Sequence, residues 1–114
     1  YYSGDSGYGP HFKAIGEQFG SVDLAIMENG QYDHDWKFIH MMPEETAQAA
    51  DDLHARAVLP GHAGRFVLAK HTWDDPYKRL AQASKDKAYR LLTPMQGEPV
   101  RLADAMQTFR AWWE

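Results

Sequence analysis

Apolar positions along this chain keep two rhythms, and the rhythms alternate. Phe12, Ile15 and Phe19 recur at helical spacing after Pro10, a residue suited to a first turn, and Gly20 follows as a left-handed cap. Val22 to Met27 is an apolar run of strand length, interrupted only by Asp23 and ended by the turn pair Asn29-Gly30. A second helix is predicted from Pro43, with Glu44 and Glu45 in its first turn, where carboxylates suit the helix dipole. Ala47, Ala50, Leu53 and Ala57 mark its buried stripe, and their small size predicts close packing against a sheet.

The remaining elements are shorter. Tyr1 to Gly4 reads as the end of a strand stopped by the turn Gly4-Asp5-Ser6-Gly7, and Gln31 to Met42, dense in Tyr, Trp, His and Asp, as an ordered loop. Ala57 to Leu59 is a short strand broken by Pro60-Gly61, and Phe66 to Ala69 forms one helical turn. Asp75 is an N-cap before the first-turn Pro76, and this third helix runs to about Tyr89. Arg90 to Thr93 and Val100 to Leu102 read as short strands around the Gly97-Glu98-Pro99 turn, and the tail is helical or extended.

The order β-α-β-α-β-α is an alternating α/β pattern. About three strands with helices on one side leave the other sheet face bare, so a partner layer is expected. Tyr2, Leu24, Ile26 and Val58 or their neighbours are expected on that bare face, and the chain is expected to self-associate through it.

Composition narrows the picture. At 44% apolar and 25% charged, the 114 residues have the balance of a folded globular domain. A net charge of −4 argues against a nucleic-acid partner, which needs a basic excess. No apolar run approaches the ~18 residues that span a bilayer as a helix. Without cysteine, thiolate metal sites and disulfides are excluded within this stretch. The chain opens on Tyr1-Tyr2 rather than Met and runs straight into strand, so it is read as cut from a longer protein.

Two short motifs carry the candidate chemistry, Gly4-Asp5-Ser6-Gly7-Tyr8 and Gly61-His62-Ala63-Gly64, each after an apolar run. They put a carboxylate and an imidazole at the carboxyl ends of strands, where open α/β sheets place their sites. Taken singly, Asp5 is also an ordinary turn residue, and His62 a hydrogen-bonded loop histidine. His40 precedes the N-terminus of the second helix, a good place to meet an anionic group. His71 beside Trp73 is a candidate for an outer role around the site, and Tyr8 a candidate hydroxyl donor over it, with packing as its other reading. Tyr32, Trp36 and Phe38 line a groove or cap the core.

In combination these residues resemble a known family. Gly4-Asp5-Ser6-Gly7-Tyr8-Gly9-Pro10-His11-Phe12, with Ile15-Gly16, Phe19-Gly20 and Val22-Asp23-Leu24-Ala25, resembles the C-terminal half of metallo-β-lactamase-fold hydrolases. Within them it is similar to the branch containing N-acylphosphatidylethanolamine-hydrolysing phospholipase D and its bacterial relatives. His40-Met41-Met42-Pro43-Glu44-Glu45, Gly61-His62-Ala63-Gly64-Arg65-Phe66-Val67-Leu68-Ala69 and Asp74-Asp75-Pro76 continue the resemblance, over roughly residues 1 to 100.

The resemblance implies that residues 1–114 are the C-terminal part of an αββα sandwich, one sheet with helices on its outer face, whose N-terminal half lies outside this chain. It implies that Asp5 bridges two metal ions, zinc before manganese or iron, and that His62 is the last histidine ligand. A hydroxide held between the ions would attack a phosphodiester or related small ester. The family's His-x-His-x-Asp-His cluster is absent, so the chain is expected to offer at most two metal ligands, no further catalytic residue, weak zinc binding and no activity by itself. The partner it implies is the N-terminal half. Ala63 stands where this branch often has tryptophan, which removes a large apolar wall beside the last histidine. Other readings are a non-catalytic binding or scaffold domain in which Asp5 and His62 are remnants, and a lactonase of the same superfamily.

Overall fold

The computed structural model describes residues 1–114 as three α-helices and a three-stranded parallel sheet. Helix α1 is His11–Phe19, strand β1 Ala25–Glu28, helix α2 Pro43–Asp52, strand β2 Ala57–Gly61, helix α3 Asp75–Ala83 and strand β3 Arg90–Leu91; a 3₁₀ turn, His34–Trp36, sits in the loop before α2. The α/β architecture is that anticipated from the sequence. No helix is long and apolar enough to cross a membrane.

The strands lie in the order β1-β2-β3, with Ala25 opposite Val58 and Ala57 opposite Arg90. Tyr2 adds a parallel bridge to Ile26 on the far side of β1, so the first residues extend the sheet. Stepping in one direction with right-handed crossovers puts the connecting helices on one face. On that face Phe12 of α1 and Ala49, Ala50 and Leu53 of α2 pack against Ala25, Met27 and Val58, with Met41 and Tyr89 closing the core. Gly16 permits the close approach of α1 to α2, since a Cβ there would stand 2.2 Å from the Asp52 carbonyl oxygen.

The alternation of the pleat sends Ile26 and its register partner Leu59 to the opposite face, where both remain half-buried beside the exposed Tyr2. Val58 itself is fully buried on the helix side, and its neighbour Leu59 takes the place on the bare face. A shift of one residue in a pleated strand exchanges the faces, and long-range register decided it.

Other boundaries also moved for tertiary reasons. Strand β2 runs through Pro60 and Gly61 instead of breaking there. The Val58 carbonyl accepts from Leu92 N, so Val58 and Pro60 turn their backbone groups toward β3, which pairs only at Ala57 and Val58. The missing proline donor therefore costs no ladder bond to β1. Ala57 belongs to β2 and not to the α2 stripe.

Helix α3 begins at Asp75 and stops at Ala83, short of Tyr89, because the chain must turn to bring Arg90 beside Ala57. Lys87 N bonds to Ser84 O in that turn, and the Ser84 and Tyr89 hydroxyls meet at 2.8 Å. Residues 66–69 form no helical turn, because the Gln31 side chain binds their backbone. Val100 to Leu102 is not a strand; Gln107 takes Pro99 O and Arg101 N instead, and Arg90 donates to Leu102 O.

Candidate metal centre

Three parallel segments end at one edge of the sheet, and their carboxyl ends carry the polar residues. Tyr2-Ser3 leads into Gly4-Asp5, β1 ends on Glu28, and β2 ends on Gly61 before His62. Asp5, His40 and His62 each turn a donor atom into this edge, and the three donor atoms lie within 4.8 Å of one another. Asp5 and His62 are exposed and His40 is buried. A small cavity of about 70 Å³ lies between Gly4, Asp5, Glu28, Gly61 and His62.

The three donors differ in how firmly they are held. His40 is fixed: its Nδ1 lies 3.0 Å from Glu28 Oε1, its ring stacks on His62 at 5.1 Å, and Trp36 meets it edge-on. An ionised carboxylate only accepts, so the Nδ1 hydrogen points at Glu28 and Nε2 is left for the cluster. Glu28 Oε2 takes Met41 N at 2.8 Å, and Glu28 O takes the Thr46 hydroxyl of α2. One buried glutamate thus ties the end of β1, the histidine and the first turn of α2.

His62 is held through its backbone. Its φ of 61° lies in the left-handed region, uncommon for a residue with a side chain, and such strain persists only where neighbours enforce it. Gly30 permits this backbone to pass close by, since a Cβ there would sit 1.5 Å from the His62 carbonyl oxygen. Gln31 then pins the following loop, donating to Phe66 O at 2.7 Å and accepting from Leu68 N at 2.7 Å. Asn29 donates to Pro76 O at the start of α3.

The segment Glu28-Asn29-Gly30-Gln31 is entirely buried, where the sequence predicts only the Asn29-Gly30 turn and the start of a loop. A signal was present: two side chains able to bond in both directions and a carboxylate directly follow an apolar strand, at the edge where such folds place their chemistry.

The cluster brings together three donor atoms, one more than the two metal ligands expected from the sequence. His40, expected as a substrate contact, is the added one, brought within reach by the Glu28 bond. The other candidates are not brought to the cluster. The Tyr8 hydroxyl donates to Asp52 Oδ2 at 2.6 Å, and its ring stacks on Phe12. That bond is the main cause that pushes the Tyr8 phenol up to about 12. His71 stacks on Tyr32 at 4.0 Å with Nδ1 on Thr72 O, and lines a separate cleft with Asp33, Lys70 and Arg79. Of the aromatic loop, Tyr32 is buried, Trp36 half-buried against His40, and Phe38 84% exposed.

The family described as a beta-lactamase superfamily domain matches residues 1–63. The chain is 89% identical over 65 residues to the outer membrane protein RomA of Klebsiella pneumoniae, a match covering 57% of this chain and 49% of that protein. It is 36% identical over 98 residues to the mitochondrial N-acyl-phosphatidylethanolamine-hydrolyzing phospholipase D of Saccharomyces cerevisiae, covering 78% of this chain and 21% of the enzyme. The crystal structure of the metallo-beta-lactamase fold protein YhfI from Bacillus subtilis superposes with a TM-score of 0.55 at 24% identity, over 79% of this chain and 33% of that one. The chain therefore spans half or less of the length of these proteins.

Proposed function

We propose, because the chain belongs to the beta-lactamase superfamily, that it forms one side of the active site of a metal-dependent hydrolase that cleaves a phosphodiester or related ester. The observation that carries this is the convergence of Asp5, His40 and His62 within 4.8 Å at the carboxyl edge of the sheet. The distant similarity to a phospholipase D supports the ester class.

The residues suit a divalent ion. A carboxylate and an imidazole both belong to the ligand types of catalytic zinc sites, and iron and manganese take similar ones. Neither the Asp5 carboxylate nor the His62 ring is hydrogen-bonded to another side chain, and the 70 Å³ cavity lies between them. In this reading Asp5 and His62 hold the metal. The ion would supply Lewis acidity toward a substrate oxygen and a nucleophile at neutral pH.

His40, locked by Glu28, presents Nε2 to the substrate and holds or accepts a proton there. Phe66 and Leu68 line the cleft beside His62 and offer apolar surface to the ester's substituents. Further ligands for a second ion, and a cover for the bare sheet face, are assigned in the same proposal to an N-terminal half of the domain.

The test is hydrolysis of bis-p-nitrophenyl phosphate, p-nitrophenyl acetate and a lactone by the protein joined to that half. It is run after chelation and again after restoring zinc, manganese or iron. Metal-restored turnover that is lost in Asp5→Ala and His62→Ala is expected. Preference for the lactone would favour a lactonase, and no metal-dependent turnover of any substrate would make this a binding domain.

A further inference from the structure

Two clefts meet at the loop that follows His62. The first, of about 210 Å³, includes Gln31, His62, Phe66 and Leu68 in its lining. The second, of about 390 Å³, is built on Tyr77, Pro94, Met95 and Trp112, and its volume is that of an ordinary small-ligand site. Ala63 and Arg65 line both, so the two clefts share one wall beside His62.

The wall of the second cleft is rigid. Tyr77 stacks on Trp113 at 5.3 Å and meets Trp112 edge-on at 4.8 Å, while Trp112 stacks on Trp73 at 6.3 Å. Rings held in this way lose little freedom when a flat group settles on them. Gly64 lets the loop lie close against this wall, since a Cβ there would stand 2.8 Å from the Tyr77 hydroxyl.

Arg65 differs from the cations that pair across the surface, such as Arg56 with Asp23 and Arg79 with Glu44. It forms no ion pair, and its guanidinium rests 5.2 Å from the Phe66 ring centre, held in place without being neutralised. Such a fork suits bidentate binding of a phosphate or carboxylate.

We infer that the Tyr77–Trp112 cleft is the substrate's apolar subsite and that Arg65 binds an oxyanion of the same molecule, so that the substrate is an anionic ester with one ring-sized apolar arm. The inference rests on the hydrolase reading for the word substrate, but the binding it describes does not need a metal.

The test is calorimetric titration of the metal-free 114-residue chain, in chelator, with 1-naphthylmethylphosphonate, which has no ester bond to cleave. Binding is expected, weakened about tenfold or more in Arg65→Gln and in Trp112→Ala. Methylphosphonate and 1-naphthylmethanol are expected to bind at least about tenfold more weakly than the combined molecule. Met95→Trp, which fills the cleft from its exposed side, serves in place of Trp112→Ala if that variant does not fold. 1-Naphthylacetate replaces phosphonate by carboxylate, and Arg65-dependent binding of either ligand supports the inference. Affinity unchanged in Arg65→Gln, or methylphosphonate binding as tightly as its naphthyl derivative, would overturn it. Because no turnover is read, failure here leaves the metal-dependent reaction standing, and failure of that reaction leaves this result standing.

Discussion

His40 Nδ1 and Glu28 Oε1 stand 3.0 Å apart in the buried interior, linking the loop before α2 to the end of β1. The other Glu28 oxygen takes Met41 N. In Glu28→Gln one of these two donors must face an amide NH₂, so a buried donor goes unpaired at a cost of about 1–3 kcal/mol. Urea unfolding should show that loss. If the proposed hydrolysis is measured in the protein joined to its N-terminal half, kcat should fall with KM little changed, because His40 keeps its place in sequence but not its orientation.

Zinc added to the metal-free chain should raise its melting temperature, since a ligand that binds only the folded state stabilises it by mass action. Asp5→Ala and His62→Ala should each remove that shift, and weaken zinc binding in calorimetry by more than the roughly 10–100-fold typical of losing an outer partner. A shift that survives in both variants would place the metal elsewhere.

Gly30→Ala should cost about 3 kcal/mol, the upper part of the overpacking range, because the added methyl meets the His62 carbonyl oxygen 1.5 Å away and backbone must move. Chemical denaturation measures the loss. Crystal or NMR structures of the variant should show His62 displaced and zinc binding weakened with it.

Arg79 bonds to Glu44 and holds its carboxyl below the ordinary carboxylate range. A group with a depressed folded value contributes stability above its unfolded value and loses it as pH falls through the folded one. Glu44→Gln should therefore lower the melting temperature at neutral pH, and the gap from wild type should close as pH drops below about 4. The pair is solvent-exposed, so the effect should stay below about 1 kcal/mol.

Tyr2, Ile26 and Leu59 occupy the sheet face opposite the helices, with Tyr2 73% exposed. The 114-residue chain should associate through this face, with sedimentation rising with concentration, and Tyr2→Lys and Ile26→Lys should return it toward monomer. A wild-type chain that stays monomeric over a hundredfold concentration range (about 2.7 kcal/mol of association free energy) would remove the proposal that a partner layer covers it.

Local physics made much of this legible. Helical spacing with Pro10 and Gly20 marks α1, Pro43 with two first-turn glutamates marks α2, and apolar runs ended by glycine turns mark the strands and put Asp5 and His62 after them. Each of those signals lies within a few residues of what it determines. The rest depends on residues far apart in sequence. The register of Ala25 on Val58 decided which strand side is buried, Leu92 on Val58 let Pro60 stay in a strand, and Gln31 took the backbone groups that residues 66–69 needed for a helical turn. The third donor belongs to the same class. His40 reaches the cluster only because Glu28, twelve positions earlier, is buried against it, and a carboxylate's partner across such a distance is chosen by packing and desolvation in the folded chain.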